Sequence, residues 1–526
     1  MPDRRAREKS ITGAASVVGS ATVLSRVLGY LRDAAIAYVF GAGMFADAFF
    51  VAFRISNLFR RLVGEGALTS IFIPIFTGEM NQRTRDNTRN LASSVFTLFF
   101  IILVAMAALG IIFSDGIVRF MSPGFADDPE KFATTVMLTK LMFPFMVFIG
   151  MMAIAMGVLN AYRHFSMPAL APVFFNLAII AAVFAVAPFL DVPVYALAIG
   201  VLVGGFLQFA IQVPVLRKYG MTPAPRFMFN DPAIKRIFLL MGPAVFGTGV
   251  YQLNIFVTLW FASSLQEGSI SFLYYGGRLM ELPLGVFGVA VSTAVLPALS
   301  EHVAKKEWGP FKESLSFALR IVNFVIIPST IGLLILSTPI IDILFKRGEF
   351  GAADSSATAI ALYYYSVGLV PVAISRILVS VFYSLKDTIT PVWVAFIAFV
   401  ANAIFCVVLV GPLGHGGLAL ATSISALINM AVLFVILRRK FGPFDGRSIL
   451  GSAARSGAAS VVMGVVIYIV MYRTGLYGSG QMVKAGLVAA CLVTGAGSYV
   501  GSAYLLGVPE VSFLKGILKK RGRKDG

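Results

Sequence analysis

The sequence predicts an all-α polytopic membrane protein of two pseudo-symmetric six-helix lobes and two further C-terminal helices, and three observations carry that prediction. Of its 526 residues, 58% are hydrophobic and 13% charged, with a mean hydropathy of +0.86, outside the range of soluble domains. Apolar runs long enough for a helix to cross the hydrocarbon, such as LASSVFTLFFIILVAMAALGIIF and PVWVAFIAFVANAIFCVVLVGPL, recur about fourteen times. The chain also matches itself at a shift of 222 to 224 positions.

The composition excludes several classes. The basic start MPDRRAREKS precedes no small-residue cleavage site, and the next segment carries charges foreign to a signal peptide, so the N-terminus is expected to be retained. Cys406 and Cys491 each stand alone in an apolar run, which suits packing and neither a disulfide framework nor a metal site. His164, His302 and His415 lie in or beside loops. No GxxxxGK[ST], HExxH or GxSxG is present, so no catalytic activity, nucleotide site or other cofactor is expected, and energy must come from gradients or the membrane potential.

The net charge of +18 invites a nucleic-acid reading, which the positions of the cations remove. About 28 Lys and Arg fall in alternate loops (RRAREK, RTRDNTR, Arg163, Arg217 to Arg236, Lys305 to Lys312, Lys386, Arg438 to Arg455 and KKRGRK), and about six in the intervening ones. This asymmetry predicts both termini on the cytoplasmic side, with the basic tail near anionic headgroups.

The repeat sets Arg54 and Asn57 on Arg278 and Glu281, Gly64 on Gly288, Pro74 on Pro297, Pro168 on Pro391, and RKYG at 217 on RKFG at 439. A steady offset linking charged, proline and loop positions does not arise from apolar bias. It predicts an N-terminal lobe over 1–220, a C-terminal lobe over 230–442, an extra helix pair over 447–507 and a cytoplasmic tail over 508–526. Six helices per half is even, so the halves enter the membrane from the same side, and transporters bind substrate between such halves.

The remaining cations lie inside apolar segments: Arg26, Arg32, Arg54, Arg60, Arg61, Lys140, Arg278, Arg320 and Arg376. Each would cost roughly 2.5–3.5 kcal/mol at mid-membrane, so they are expected to face water or a partner. Helical periodicity aligns Asp47, Arg54, Arg61 and Glu65 with Asn57 beside them, and Arg26 with Asp33. The alternative is that Asp33 and Asp47 merely neutralise arginines while Arg60, Arg61 and Lys140 reach an interface. Cations exceed carboxylates in the N-terminal half, and the planar guanidinium suits a phosphate. A diphosphate is therefore the expected guest.

The stretches SRVLGYLRD, FGAGMFADAFFVAFRISNLFRRLVGEGALTSIFIPIF, MSPGFA, FSMPALAPVFFN and GRLMELPLGVFGVAVSTAVLPALS resemble the MurJ (MviN) family of bacterial lipid II flippases, over nearly the whole chain. The resemblance implies the multidrug/oligosaccharidyl-lipid/polysaccharide exporter fold, with a V-shaped central cavity between the lobes and a lipid-tail groove at the extra helix pair. It implies a substrate, lipid II, moved from the cytoplasmic to the periplasmic leaflet of the inner membrane for peptidoglycan synthesis. The companions it implies are membrane lipids and cell-wall synthesis proteins. By motif, the family's essential arginines fall on Arg26, Arg32, Arg60 and Arg278, with Asp33, Asp47, Arg54, Asn57, Asn176 and Glu281 as further substrate-site residues. The resemblance favours Arg60 where ideal helix geometry favours Arg61. Glu65 and Arg376, one from each lobe, are a candidate gate pair.

Some members of that family are thought to bind sodium, but Asn254 and Asn402 have no intramembrane carboxylate nearby in sequence, so no metal ligand is assigned. The rival expectations are a cation-coupled drug exporter, or an exporter of another polyprenyl-linked oligosaccharide, of the same superfamily, and a non-transporting scaffold. A drug antiporter should carry cavity carboxylates rather than excess arginine.

Overall fold

The computed structural model describes residues 2–59, 71–228, 230–285, 289–473 and 480–511, without the side chains of 2–16, 59, 242–251, 289–290 and 292–294. Among the described residues the regular structure is helical, and the chain divides into two compact units.

The first unit is Met1–Ser271 with Arg347–Phe350. It contains α1 (Pro2–Phe40), α2 (Met44–Phe59), α3 (Ile73–Gln82), α4 (Arg85–Ile112), α5 (Ser114–Met121), α6 (Pro129–Met142), α7 (Phe145–Ala161), α8 (Ser166–Ala185), α9 (Tyr195–Ala210), α10 (Val213–Lys218) and α11 (Pro232–Ala262). Local chemistry sets the starts of these helices. Thr84 caps α4 through Asn87 N, Asp128 caps α6 through the N–H groups of Glu130 and Lys131, and Asp231 caps α11 through Ala233 N. Pro129 and Pro232 follow as the first helical residues, where a missing N–H costs nothing. Phe72, Phe76, Leu91, Val95, Phe96, Phe99, Ile154 and Val158 fill a dry core among α3, α4 and α7. At one end of this unit, Arg83 clamps Asp231 with two guanidinium N–H bonds of 2.5 and 2.8 Å. The start of α11 is thereby fixed to the end of α3, and the Arg83 hydrogen bonds hold the Asp231 carboxyl below its ordinary range.

The second unit is Phe272–Lys346 with Gly351–Gly526. Its helices are α12 (Ser269–Pro283), whose first residues belong to the first unit, α13 (Val289–Ala304), α14 (Trp308–Leu344), α15 (Ala352–Val367), α16 (Leu369–Ser384), α17 (Ile389–Phe441), α18 (Gly446–Tyr468) and α19 (Gln481–Leu505). A 53-residue helix is far longer than a bilayer needs. α17 is two helices joined at Gly414, whose φ of 54° and ψ of −133° are open only to glycine. The α18–α19 pair packs on α14 through Phe324, Leu336, Met463, Ile467, Cys491 and Tyr499. Both cysteines are buried and free.

Eight helical stretches among the described residues are long and apolar enough to cross a membrane, or nine if α15 and α16, bent by 45°, form one span. α1 and α2 are not among them. α1 carries Arg26, Arg32 and Asp33, and α2 is 16 residues long and carries Asp47 and Arg54.

The repeat read from the sequence has a backbone counterpart in each unit. Arg163 and Lys386, 223 positions apart, both adopt φ 59°. They end their helices with the same hydrogen bonds: Arg163 N to Asn160 O and His164 N to Leu159 O in one unit, Lys386 N to Tyr383 O and Asp387 N to Phe382 O in the other. Gly220 and Gly442, 222 apart, have φ of 73° and 76°.

Candidate functional site

In the first unit, α1 brings Arg32 and Asp33 together inside the protein. Arg32 Nε and Nη2 both donate to Asp33 Oδ1, at 3.0 and 2.6 Å. Its Nη1 donates to Asn176 Oδ1 on α8 at 3.2 Å, and Asn176 Nδ2 donates back to Ser25 O on α1 at 3.1 Å. All three side chains are buried, Asp33 completely. One amide thus pins α8 to α1 and holds the guanidinium plane against its carboxylate, and removing one member of such a pair strands a charge. Arg26, seven residues before Asp33 and on the same helical face, is half-buried.

On α2 the structure pairs Asp47 with Lys131, one of the few cations of the intervening loops. Lys131 Nζ donates to Asp47 Oδ2 at 2.9 Å. The same carboxylate accepts from Gly268 N at 2.9 Å, Ser271 N at 2.9 Å and Ser271 Oγ at 2.7 Å. Asp47 is 1% exposed and Lys131 7%, and the ammonium also lies 4.3 Å from the centre of the Phe125 ring. With four donors on two oxygens, Asp47 ties α2 to α6 and to the start of α12. The signal for Lys131 was the Asp-Pro-Glu-Lys helix start, which puts it at the third position of α6, within reach of a carboxylate otherwise unmatched in an apolar run. Arg54 and Asn57, further along α2, are half-buried. Arg54 lies about 10 Å along the axis from Asp47, since each residue rises about 1.5 Å.

Arg60, Arg61 and Glu65 lie outside the described residues, so the choice between the two arginines and the Glu65 half of the gate pair are not placed. Lys140 reaches Asp115 at 3.1 Å in a partly exposed pair.

In the second unit, Arg278 Nη1 lies 3.5 Å from Glu281 Oε2, with the two side chains 32% and 58% exposed. Arg376 is half-buried on α16. Arg320 faces the buried Glu510, Nε to Oε1 3.3 Å, and donates to Ser448 Oγ at 3.0 Å. Ser452 Oγ completes this knot by donating to Glu510 at 2.7 Å. Asp342 holds Lys484 of α19 at 3.2 Å and accepts from Ser355 Oγ at 2.6 Å. These cations therefore differ in their surroundings. Arg32, Lys131 and Arg320 are matched by buried carboxylates, whereas Arg26, Arg54, Arg278 and Arg376 keep partly accessible side chains.

The family model for "Lipid II flippase MurJ" matches residues 36–487. A lipid II flippase MurJ of Burkholderia cenocepacia is 37% identical over 504 residues, covering 94% of this chain and 97% of the relative. A probable lipid II flippase MurJ of Vibrio cholerae is 35% identical over 500 residues, covering 94% and 95%. Among solved structures, a lipid II flippase MurJ in an inward closed conformation is similar with a TM-score of 0.79 at 28% identity, over 93% of this chain and 98% of that one. An inward-facing MATE family multidrug resistance transporter of the MOP superfamily has a TM-score of 0.69 at 15% identity, over 79% and 94%, a likeness of fold alone. With the family model spanning most of the chain and these relatives covered almost end to end, the chain belongs to the lipid II flippase MurJ family.

Proposed function

We propose that this chain is a lipid II flippase. It carries an undecaprenyl-diphosphate-linked disaccharide-peptide from the cytoplasmic to the periplasmic leaflet of the bacterial inner membrane by alternating access. It is a transporter and not a catalyst. The observation that carries the reading is the retention of arginines with partly accessible side chains, Arg26, Arg54 and Arg278, in the otherwise largely apolar stretches that follow the charged N-terminus and form α12. A permanent guanidinium matches a diphosphate in geometry and charge.

Arg26, Arg32 and Arg278 receive the diphosphate, with Arg54, Asn57, Arg60 and Glu281 around it. Asp33 and Asn176 orient Arg32, and Asp47 fixes α2 through Lys131 and Ser271, since a carboxylate fully engaged by donors has nothing to offer an anion. Binding removes repulsion among the cations, a difference in interaction energy between states of the kind a population shift requires. An inside-negative potential, worth about 2.3 kcal/mol per charge per 100 mV across the full field, draws the emptied cationic site back. Glu65 and Arg376 form the gate pair.

The proposed layout is about fourteen spans: lobes over 1–220 and 230–442, a helix pair over 447–507 serving the polyprenyl tail, and a tail over 508–526. Both termini are cytoplasmic, and cell-wall synthesis proteins are the expected companions.

The test is reconstitution in vesicles carrying labelled lipid II. Wild type should move label between leaflets, and Arg26→Ala and Arg278→Ala should lose that activity while eluting as folded protein. Unimpaired transport by both variants would overturn the site.

A further inference from the structure

The internal repeat allows one corner of each unit to be read against the other. In the second unit that corner closes on itself. Lys440 Nζ holds Asp387 Oδ2, Asp387 also accepts from Thr390 N at 3.0 Å and Thr390 Oγ1 at 2.8 Å, and Trp308 lies against Phe441 with ring centres 5.0 Å apart.

The matching positions of the first unit are Lys218 for Lys440, His164 for Asp387, Tyr219 for Phe441 and Arg85 for Trp308. The framework is kept. Arg163 and Gly220 repeat the left-handed turns of Lys386 and Gly442, Tyr219 stacks on Tyr162 with centres 4.8 Å apart, and His164 stands edge-on to Tyr219 at 6.2 Å. Arg85 Nη2 donates to Tyr219 O at 3.3 Å, across Gly220. The charge has changed sign. Where the second unit sets a carboxylate on its lysine, the first sets an imidazole, and it adds an arginine where the second has an indole. Among the described residues no carboxylate pairs with Lys218 or Arg85, both of which are exposed, and His164 Nε2 is buried without a partner. The 20-residue α8 begins here without a side-chain cap, and nothing at its start repeats the bond from Thr390 N to Asp387 at the start of α17.

We propose that this corner of the first unit binds the phosphate of an anionic phospholipid headgroup, held by Arg85 and Lys218. The ligand takes the place that Asp387 fills from within the chain, with the uncapped N–H groups of α8 as further donors. A lipid fits better than an acidic protein segment. The corner borders Phe165, 39% exposed, and α8 runs away from it with Leu177 and Phe184 exposed further along its length. The tyrosine pair is the kind of side chain that settles at headgroup depth. The corner also lies in loops that the cation asymmetry assigns to the cytoplasm, where leaflet phosphates are always present at that depth.

Native mass spectrometry of the detergent-solubilised full chain, titrated with phosphatidylglycerol or phosphatidylcholine, tests the proposal. Wild type should bind phosphatidylglycerol in preference, and Arg85→Ala and Lys218→Ala should each weaken its tightest binding by roughly fivefold. His164→Asp is the sharper variant, because it rebuilds the internal pair of the second unit. It should lose the site while melting like wild type without lipid, and Arg438→Ala, an exposed cation elsewhere, should change nothing. Equal binding of the two lipids, or wild-type affinity in His164→Asp, would overturn the proposal. Tighter binding of a glutamate-rich peptide than of phosphatidylglycerol would do so too, making the partner a protein segment.

Discussion

Lys131 and Asp47 meet at 2.9 Å in the interior of the first unit, joining α6 to α2 across 84 residues of sequence. Such a pair contributes little beyond a hydrophobic replacement but is costly to halve, about 3–5 kcal/mol when one partner is removed. Lys131→Met should therefore destabilise strongly by leaving the carboxylate unpaired, and Asp47→Asn should do the same to the ammonium. The double variant should be more stable than the sum of the two losses. Melting in detergent measures this cycle, and strict additivity would show that the pair does not couple α2 to α6.

Asn176 spans α8 and α1 with both ends of its amide. Asn176→Ala leaves Arg32 Nη1 without this acceptor, at about 1–3 kcal/mol in stability. Asn176→Asp keeps the acceptor for Arg32 but loses the donor to Ser25 O and sets a second carboxylate beside Arg32, so it should raise the KM for lipid II in vesicles and also lower the melting temperature. A variant with unchanged KM would place Arg32 outside the substrate path.

Asp387 gives a pH dependence with a definite sign. Burial alone would raise its pKa, yet the Lys440 ammonium and the Thr390 N–H and O–H hold it down at about 2, against an ordinary 3.8. A depressed carboxyl contributes stability that is complete above its unfolded value and is lost as pH falls through the folded one. The stability difference between wild type and Asp387→Asn should thus be constant from neutral pH to about 4 and shrink between about 4 and about 2. A difference that grows on acidification would reverse the assignment.

The sequence made some features legible and hid others, for physical reasons. Helix identity and membrane class follow from composition and run length, and the repeat from prolines and glycines whose backbone roles recur, as at Gly220 and Gly442. The arginines stood out because lipid penalises them. Their partners did not. Lys131 sits beside acidic residues in a polar stretch and reads as a loop cation until the fold brings Asp47 to it. Glu510, 2% exposed, reads as part of the polar tail until α14 and α18 enclose it. Pairing across tens or hundreds of residues is a property of packing, which periodicity on one helix does not contain.

Gly124, in the stretch MSPGFA, shows a constraint of a different kind. A Cβ there would lie 2.4 Å from Ser263 O and 2.5 Å from Ser264 Cα, both backbone atoms at the end of α11. The Gly124 N–H also donates to Ser263 Oγ at 3.2 Å. Gly124→Ala cannot be absorbed by a side-chain rotation, so it should cost about 1–3 kcal/mol, read as a lower melting temperature. Wild-type stability in this variant would mean that the two backbones do not approach so closely.

Arg278 and Glu281 provide the last prediction, because their pair separates stability from substrate binding. At 3.5 Å, with Arg278 partly exposed and Glu281 exposed, the pair belongs to the class worth about 0–1 kcal/mol. Glu281→Ala should therefore leave the melting temperature nearly unchanged. It removes a carboxylate that competes with the diphosphate for the same guanidinium, so the KM for lipid II should fall. Arg278→Lys keeps the charge but loses the planar fork that matches a phosphate in two bonds, and its KM should rise although its stability does not. If Arg278 were only a surface partner of Glu281, neither substitution would move KM, and initial rates of lipid II transfer in vesicles distinguish the two cases.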